Sequence, residues 1–127
     1  MKAIREVTSH RGASGVDTAL TIKVLDEPGP GGASHLYRVT ARGGENYHEV
    51  LATIRFQKGG VYESGINGLT NEALLAIVLD RLTSFQAGRF ACSENAIALT
   101  KVSEAIEWLH ARTRDRTNRG VEGLATE

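Results

Sequence analysis

Asn67-Gly68-Leu69-Thr70-Asn71-Glu72-Ala73-Leu74-Leu75 marks the point where the chain changes from one pattern to another. Gly68 interrupts what precedes it. Thr70 is placed to be the N-cap of a helix that carries Glu72 in its first turn, where a carboxylate suits the positive end of the helix dipole. Apolar residues then recur at Leu74, Val78, Leu82 and Phe85, with Leu75 and Leu79 beside them, which is the spacing of an amphipathic helix. This helix is expected to pack on a sheet and to stop at Gln86-Ala87-Gly88, with glycine in the usual C-terminal place. Ser93 is the expected cap of a second helix. Its apolar line runs Ala98, Val102, Ala105, Leu109, with Leu99 and Ile106 adjacent, and it ends near Arg119-Gly120. Together the two make a helical hairpin over 67–119. The tail 120–127 carries no pattern and is expected to fray or to lie on a neighbour.

Working back from Asn67, the first half alternates apolar and polar residues with period two, the mark of strands with one buried face. Leu20-Thr21-Ile22-Lys23-Val24 and Val50-Leu51-Ala52-Thr53-Ile54-Arg55-Phe56 are the strongest strand segments, the latter with Val50, Ala52, Ile54 and Phe56 on the buried side. Residues 2–8, 35–41 and a short Val61-Tyr62-Glu63 are further candidates. Glycine-rich turns separate them at Pro28-Gly29-Pro30-Gly31-Gly32, Arg42-Gly43-Gly44-Glu45-Asn46 and Lys58-Gly59-Gly60. The expected fold class is α+β: an antiparallel sheet of about four to five strands over 1–66, then the hairpin. At 127 residues the chain has the length of a single domain.

Charge narrows the function classes. Lys plus Arg and Asp plus Glu both number 15, so no bulk field favours a long nucleic acid or a membrane surface, and any anion site must be local. The one thiol, Cys92, has no internal partner, the first residues lack the apolar run of a signal peptide, and no stretch approaches the roughly 20 apolar residues that span a bilayer. These features point to the cytoplasm.

Several residues invite chemical readings. None of the glycine clusters has the Lys-Ser or Lys-Thr ending of a phosphate-binding loop, and hairpin turns explain them. His10, His35, His48 and His110 lack metal-ligand spacing, so neither a metal nor any other cofactor is expected. Cys92 precedes a helix start, which can lower a thiol pKa, but a small residue in a hairpin link is the simpler account. The end of the second helix is different: Arg112, Arg114, Arg116 and Arg119 fall within eight residues against one carboxylate, Asp115. Arg112 and Arg116 share a helix face and could fork around phosphate oxygens; cations are also favoured there by the helix dipole alone. At the other end lie Phe85, a core residue or a stacking face, and Asn95, a capping neighbour or an amide for a base edge. Asn95 and Arg112 are 17 residues apart, about 25 Å along a helix. A single small ligand reaches both only if two chains run antiparallel in a twofold dimer.

Three stretches carry a resemblance: 65–78 (Gly65-Ile66-Asn67-Gly68-Leu69-Thr70-Asn71-Glu72 onward), 90–101 (Phe90-Ala91-Cys92-Ser93-Glu94-Asn95 onward) and 112–123 (Arg112-Thr113-Arg114-Asp115-Arg116-Thr117 onward). Together they resemble the Thoeris anti-defence protein 1 family of phages and prophages, whose hairpin is shared with an anti-CBASS family of cyclic-nucleotide sponges. The resemblance implies a non-enzymatic sponge in the cytoplasm of the infected host. Such a protein would bind glycocyclic ADP-ribose, 1''-2' or 1''-3' linked, made by a bacterial TIR-domain enzyme, and hold it without cleavage. Carried over by motif, the ligand-contacting residues are Phe85, Asn95, Arg112 and Arg116, with Arg55 as a basic strand residue. The resemblance further implies a homodimer with sites shared between chains and, in some members, a hexamer whose second pocket takes cyclic trinucleotides. Relatives often carry arginine after the cysteine of the Cys-x-Glu-Asn stretch, whereas this chain has Ser93, a departure that bears on the second pocket and the hexamer. Two other readings stay open: a cyclic-oligonucleotide sponge against CBASS-type signalling and a small nucleotide hydrolase. An interaction module whose arginine patch grips an acidic surface is a third.

Overall fold

The computed structural model describes residues 2–45 and 47–120; residues 121–127 of the expected tail and one residue of the 42–46 turn lie outside them. Two compact units form. One is the chain through Gly59 together with Ile66–Gly68, and the other is Gly60–Gly65 with the chain from Leu69 onward.

The first unit is a four-stranded sheet in the order β1 (Arg5–Val7), β2 (Leu20–Val24), β3 (Leu36–Arg42), β4 (His48–Arg55), antiparallel throughout. Alternation sets its faces. Val7 pairs with Ile22, Ile22 with Val39, Val39 with Ala52 and Tyr37 with Ile54, which collects the apolar side chains on one side. Glu6, Lys23, Arg38 and Thr53 line the other side, with the opposite charges of Glu6 and Lys23 directly across from each other. Val24 and Leu25 are fully buried and the remaining apolar positions are half-buried. Val50 departs from the expected buried face and is 54 % exposed. The cause is a β-bulge: Val39 pairs with Ala52 but Thr40 pairs with Val50, so Leu51 is the extra residue and the alternation restarts there.

Two short helices were not legible as such. α1 (Gly15–Ala19) starts at Ser14, whose Oγ accepts the N–H groups of Val16 and Asp17. The segment Val61-Tyr62-Glu63, read above as a strand, is instead part of α2 (Val61–Ser64). The carbonyl of Gly60 accepts the N–H groups of Glu63 and Ser64, and Gly65, at φ +70°, ends the turn in a conformation open to glycine. With no strand among the described residues paired to this segment, the β-branched and aromatic side chains do not decide the backbone.

The second unit is dominated by α3 (Asn71–Gln86) and α4 (Ser93–Asn118). Thr70 caps α3 as expected, its Oγ1 accepting the N–H of Ala73 at 3.1 Å. The cap of α4 is Cys92 rather than Ser93: the thiol Sγ accepts the N–H of Asn95 at 3.4 Å, and Ser93 is the first helical residue, bonded to its neighbour Glu94. The helices pack against each other, and Leu75, Leu79 and Leu82 on α3 and Leu99, Val102, Ile106 and Leu109 on α4 are half-buried. Ile77, Val78, Ile97 and Trp108 stay exposed, Trp108 at 76 %. No helix among the described residues is long and apolar enough to cross a membrane.

Candidate functional site

The turn between α3 and α4 is a closed, hydrogen-bonded structure. Gln86 Oε1 accepts the N–H of Cys92 at 2.9 Å, Gly88 donates to the carbonyl of Phe85 and Ala91 to that of Gly88. Around it stand two rings and two guanidiniums. Phe85 meets Phe90 edge-on with centroids 6.5 Å apart; Arg81 lies over Phe85 at 5.4 Å and Arg89 over Phe90 at 5.1 Å. Phe85 is 39 % exposed and Phe90 62 % exposed, so neither ring is a core residue. One turn further on, Asn95 gives its backbone N–H to Cys92 Sγ, and its side-chain amide makes no hydrogen bond among the described residues.

Phe85 and Asn95 are thus brought to the same tip. Arg81, Arg89 and Phe90 join them there and were not singled out from the sequence, although the four-residue spacing of Arg81 and Phe85 on one helix face is a signal for the first. Arg112 and Arg116 lie at the opposite end of α4, one turn apart. Arg112 is exposed, whereas Arg116 is buried and engaged, at 6 % exposure. Arg119, next along, binds Asp115 at 3.0 Å, an exposed ion pair worth at most about 1 kcal/mol. It takes up Asp115, the one carboxylate among residues 112–119.

Arg55 belongs to the sheet unit. It lines a cavity of about 300 Å³ with Asp26, His35 and Lys58. Asp26 and His35 are nine residues apart across the proline- and glycine-rich loop, so nothing in the local sequence marks them as neighbours. Burial pushes the Asp26 carboxyl up, but the backbone N–H groups of Leu36 and His35 and the charges of His35 and Lys58 outweigh it, leaving the pKa below the ordinary 3.8. Among the described residues no cluster of three or more His, Cys, Asp or Glu side chains could hold a metal ion.

Comparison with known proteins bears on the hairpin in particular. The family model described as Acb2/Tad1, hairpin domain, matches residues 48–114, more than half of the chain. Thoeris anti-defense 1 of Bacillus phage SBSphiJ7 is 55 % identical over 73 residues, covering 58 % of this chain and 51 % of that relative. The match therefore spans about half of the relative's length. With the Thr70 cap, the closed turn, the whole of α3 and all but the last four residues of α4 inside the matched segment, the chain belongs to the Acb2/Tad1 hairpin-domain family.

Proposed function

We propose that the chain is a phage anti-defence sponge that binds a cyclic ADP-ribose isomer made by a TIR-domain enzyme and holds it intact, so blocking Thoeris immunity. The observation that carries this reading is the tip of the hairpin, where the exposed Phe85 ring and the unoccupied Asn95 amide stand together in a chain with a relative named Thoeris anti-defense 1. A ring face suits a base, an amide suits a base edge or hydroxyl, and arginines suit a pyrophosphate. Holding without cleaving needs no base, nucleophile or metal. It needs a preformed surface, and the Gln86 to Cys92 bond favours one by fixing the turn before any ligand arrives.

The site is shared between two copies of the chain. Asn95 and Arg112 lie about 25 Å apart along α4, too far for one cyclic dinucleotide-sized ligand, so the tip of one hairpin meets the arginine end of another. The exposed Ile77, Val78, Ile97 and Trp108 support such an association, since large apolar side chains left uncovered on a helix favour a partner.

The test is depletion and recovery. Incubated with the TIR-enzyme product, the protein should remove free ligand up to a limit set by its own amount, and heating should return the ligand chemically unchanged. Recovery of linear ADP-ribose, or turnover at substoichiometric protein, would mean a hydrolase instead. Depletion of cyclic trinucleotides with indifference to cyclic ADP-ribose isomers would mean the CBASS-directed sponge.

A further inference from the structure

The sheet unit has polar chemistry that the hairpin reading leaves unused. The cavity beside Arg55 is walled by groups held in fixed positions. The Asp26 carboxylate is held from behind: Oδ1 accepts the N–H groups of His35 and Leu36 and Oδ2 that of His35, all at 3.0 Å. Lys58 is pinned by its backbone, its N–H donating to Asn67 Oδ1 and its carbonyl accepting from Asn67 Nδ2, both at 2.8 Å, while its side chain stays exposed. Phe56 is held by an edge-on contact with Tyr37 at 5.7 Å. Gly29 lies close by: a Cβ there would be 3.3 Å from Lys58 Cε and 3.7 Å from the His35 ring. His35 is 9 % exposed, and its buried Nδ1 has no hydrogen-bond partner among the described residues.

These groups define what would fit. An ionised carboxylate has about four lone-pair sites, and the backbone takes three, so Asp26 Oδ2 keeps one for a ligand donor. Two cations, Arg55 and Lys58, stand at the exposed side against that single carboxylate, which favours an anionic group there. Phe56 offers an apolar wall between. A cavity of about 300 Å³ is at the small end of ligand sites, matching a mononucleotide better than a cyclic dinucleotide.

We propose that this cavity is a second ligand site, which takes a ribonucleoside monophosphate or the corresponding end of a larger nucleotide. A ribose hydroxyl donates to Asp26 Oδ2, the phosphate sits between Arg55 and Lys58, and the base lies along Phe56. Arg55 is thereby assigned to this site. The inference does not rest on the hairpin sponge.

The test is a titration of the full chain with AMP, followed by amide resonances in nitrogen-15 spectra, with adenosine, inorganic phosphate and 2',3'-dideoxy-AMP as companions. AMP is expected to shift His35, Leu36 and Lys58 saturably. Lys58→Ala and Arg55→Ala, both at exposed side chains, and the dideoxy compound should each weaken binding about tenfold, as loss of a hydrogen bond to a charged group does. Phe85→Ala and Arg112→Ala should leave the sheet shifts unchanged. No saturable shift at millimolar AMP, shifts confined to the hairpin, or binding indifferent to Lys58→Ala and Arg55→Ala would overturn the proposal. Equal binding of dideoxy-AMP would remove the role given to Asp26. Sequestration of the TIR product is measured separately with the hairpin variants, so either reading can fail without the other.

Discussion

The guanidinium of Arg81 lies over the ring of Phe85 at 5.4 Å, while Phe90 meets the same ring edge-on. One face of Phe85 is therefore already covered by a cation, and a base that stacks there uses the other. Phe85→Ala is expected to weaken binding of the cyclic ADP-ribose isomer about 10- to 100-fold, since base stacking on an aromatic side chain is worth roughly 1–3 kcal/mol. Arg81→Ala should cost only a few-fold, the scale of an exposed cation–π contact of about 0.5–1 kcal/mol. Isothermal titration of both variants gives the ratio. Arg81→Ala should hardly shift the melting temperature, because Arg81 is exposed.

The α4 cap can be improved. Cys92 holds the start of that helix through a long Sγ contact of 3.4 Å, and sulfur is a weak acceptor. Serine is a preferred residue at this place, so Cys92→Ser should raise the melting temperature slightly while leaving ligand binding unchanged. By contrast, Thr70→Ala removes a good cap from α3 and should cost about 1 kcal/mol. Thermal unfolding of the two variants should move in opposite directions. A fall with Cys92→Ser would show that the thiol has a contact a hydroxyl cannot replace.

Asp26 ties stability to pH. Its carboxyl lies below the ordinary 3.8 in the folded chain despite burial, held there by two backbone donors and by His35 and Lys58. A depressed carboxyl contributes stability that is fully present above its unfolded pKa and is lost as pH falls through the folded one. Asp26→Asn should therefore lower the melting temperature at neutral pH, and its difference from the wild type should shrink as pH drops below about 3.8. Melting curves from neutral pH down to pH about 2 test the sign. A gap that widens on acidification would rule this linkage out.

Gly68 is fixed by space rather than by dihedral angle. A Cβ there would meet the backbone carbonyl of Phe56, with the oxygen at 2.5 Å, and the Arg55 oxygen at 2.6 Å, so main chain rather than a flexible side chain must yield. Gly68→Ala should destabilise by about 1–3 kcal/mol, as overpacking does. Gly12→Ala, where a Cβ meets nothing within 4 Å, serves as the neutral control. Chemical denaturation separates the two.

The sequence conveyed those parts that depend on local periodicity. Leu20–Val24 and the leucines of α3 repeat at strand and helix spacing over enough residues to be read without tertiary information. The short Val61–Ser64 segment has no such length, and its helix is fixed by Gly60 and Gly65 at either end. Leu51 upset the facing of Val50 because a bulge depends on the pairing with β3, which the β4 sequence does not contain. At the candidate site, Phe85 and Asn95 were legible from their places at helix ends and from the family resemblance. Phe90, Arg89 and the cavity at Asp26 and His35 needed the turn and the loop to be folded first.

The proposed sharing of the hairpin site between chains makes a prediction that no single-chain site can imitate. Take Asn95→Ala and Arg112→Ala proteins, each unable to bind, and refold them together at equal amounts. Random pairing makes half of the dimers mixed. In each mixed dimer one site carries both substitutions and the other carries neither, because the tip and the arginine end of any one site come from different copies. About one quarter of all sites should then recover full affinity, visible as a stoichiometry near one quarter of wild type with an unchanged dissociation constant. A single-chain site would stay dead at every mixing ratio. The exposed Trp108 supplies a fluorescence check that dimers have re-formed on refolding: its environment should respond to pairing, whichever variants are combined.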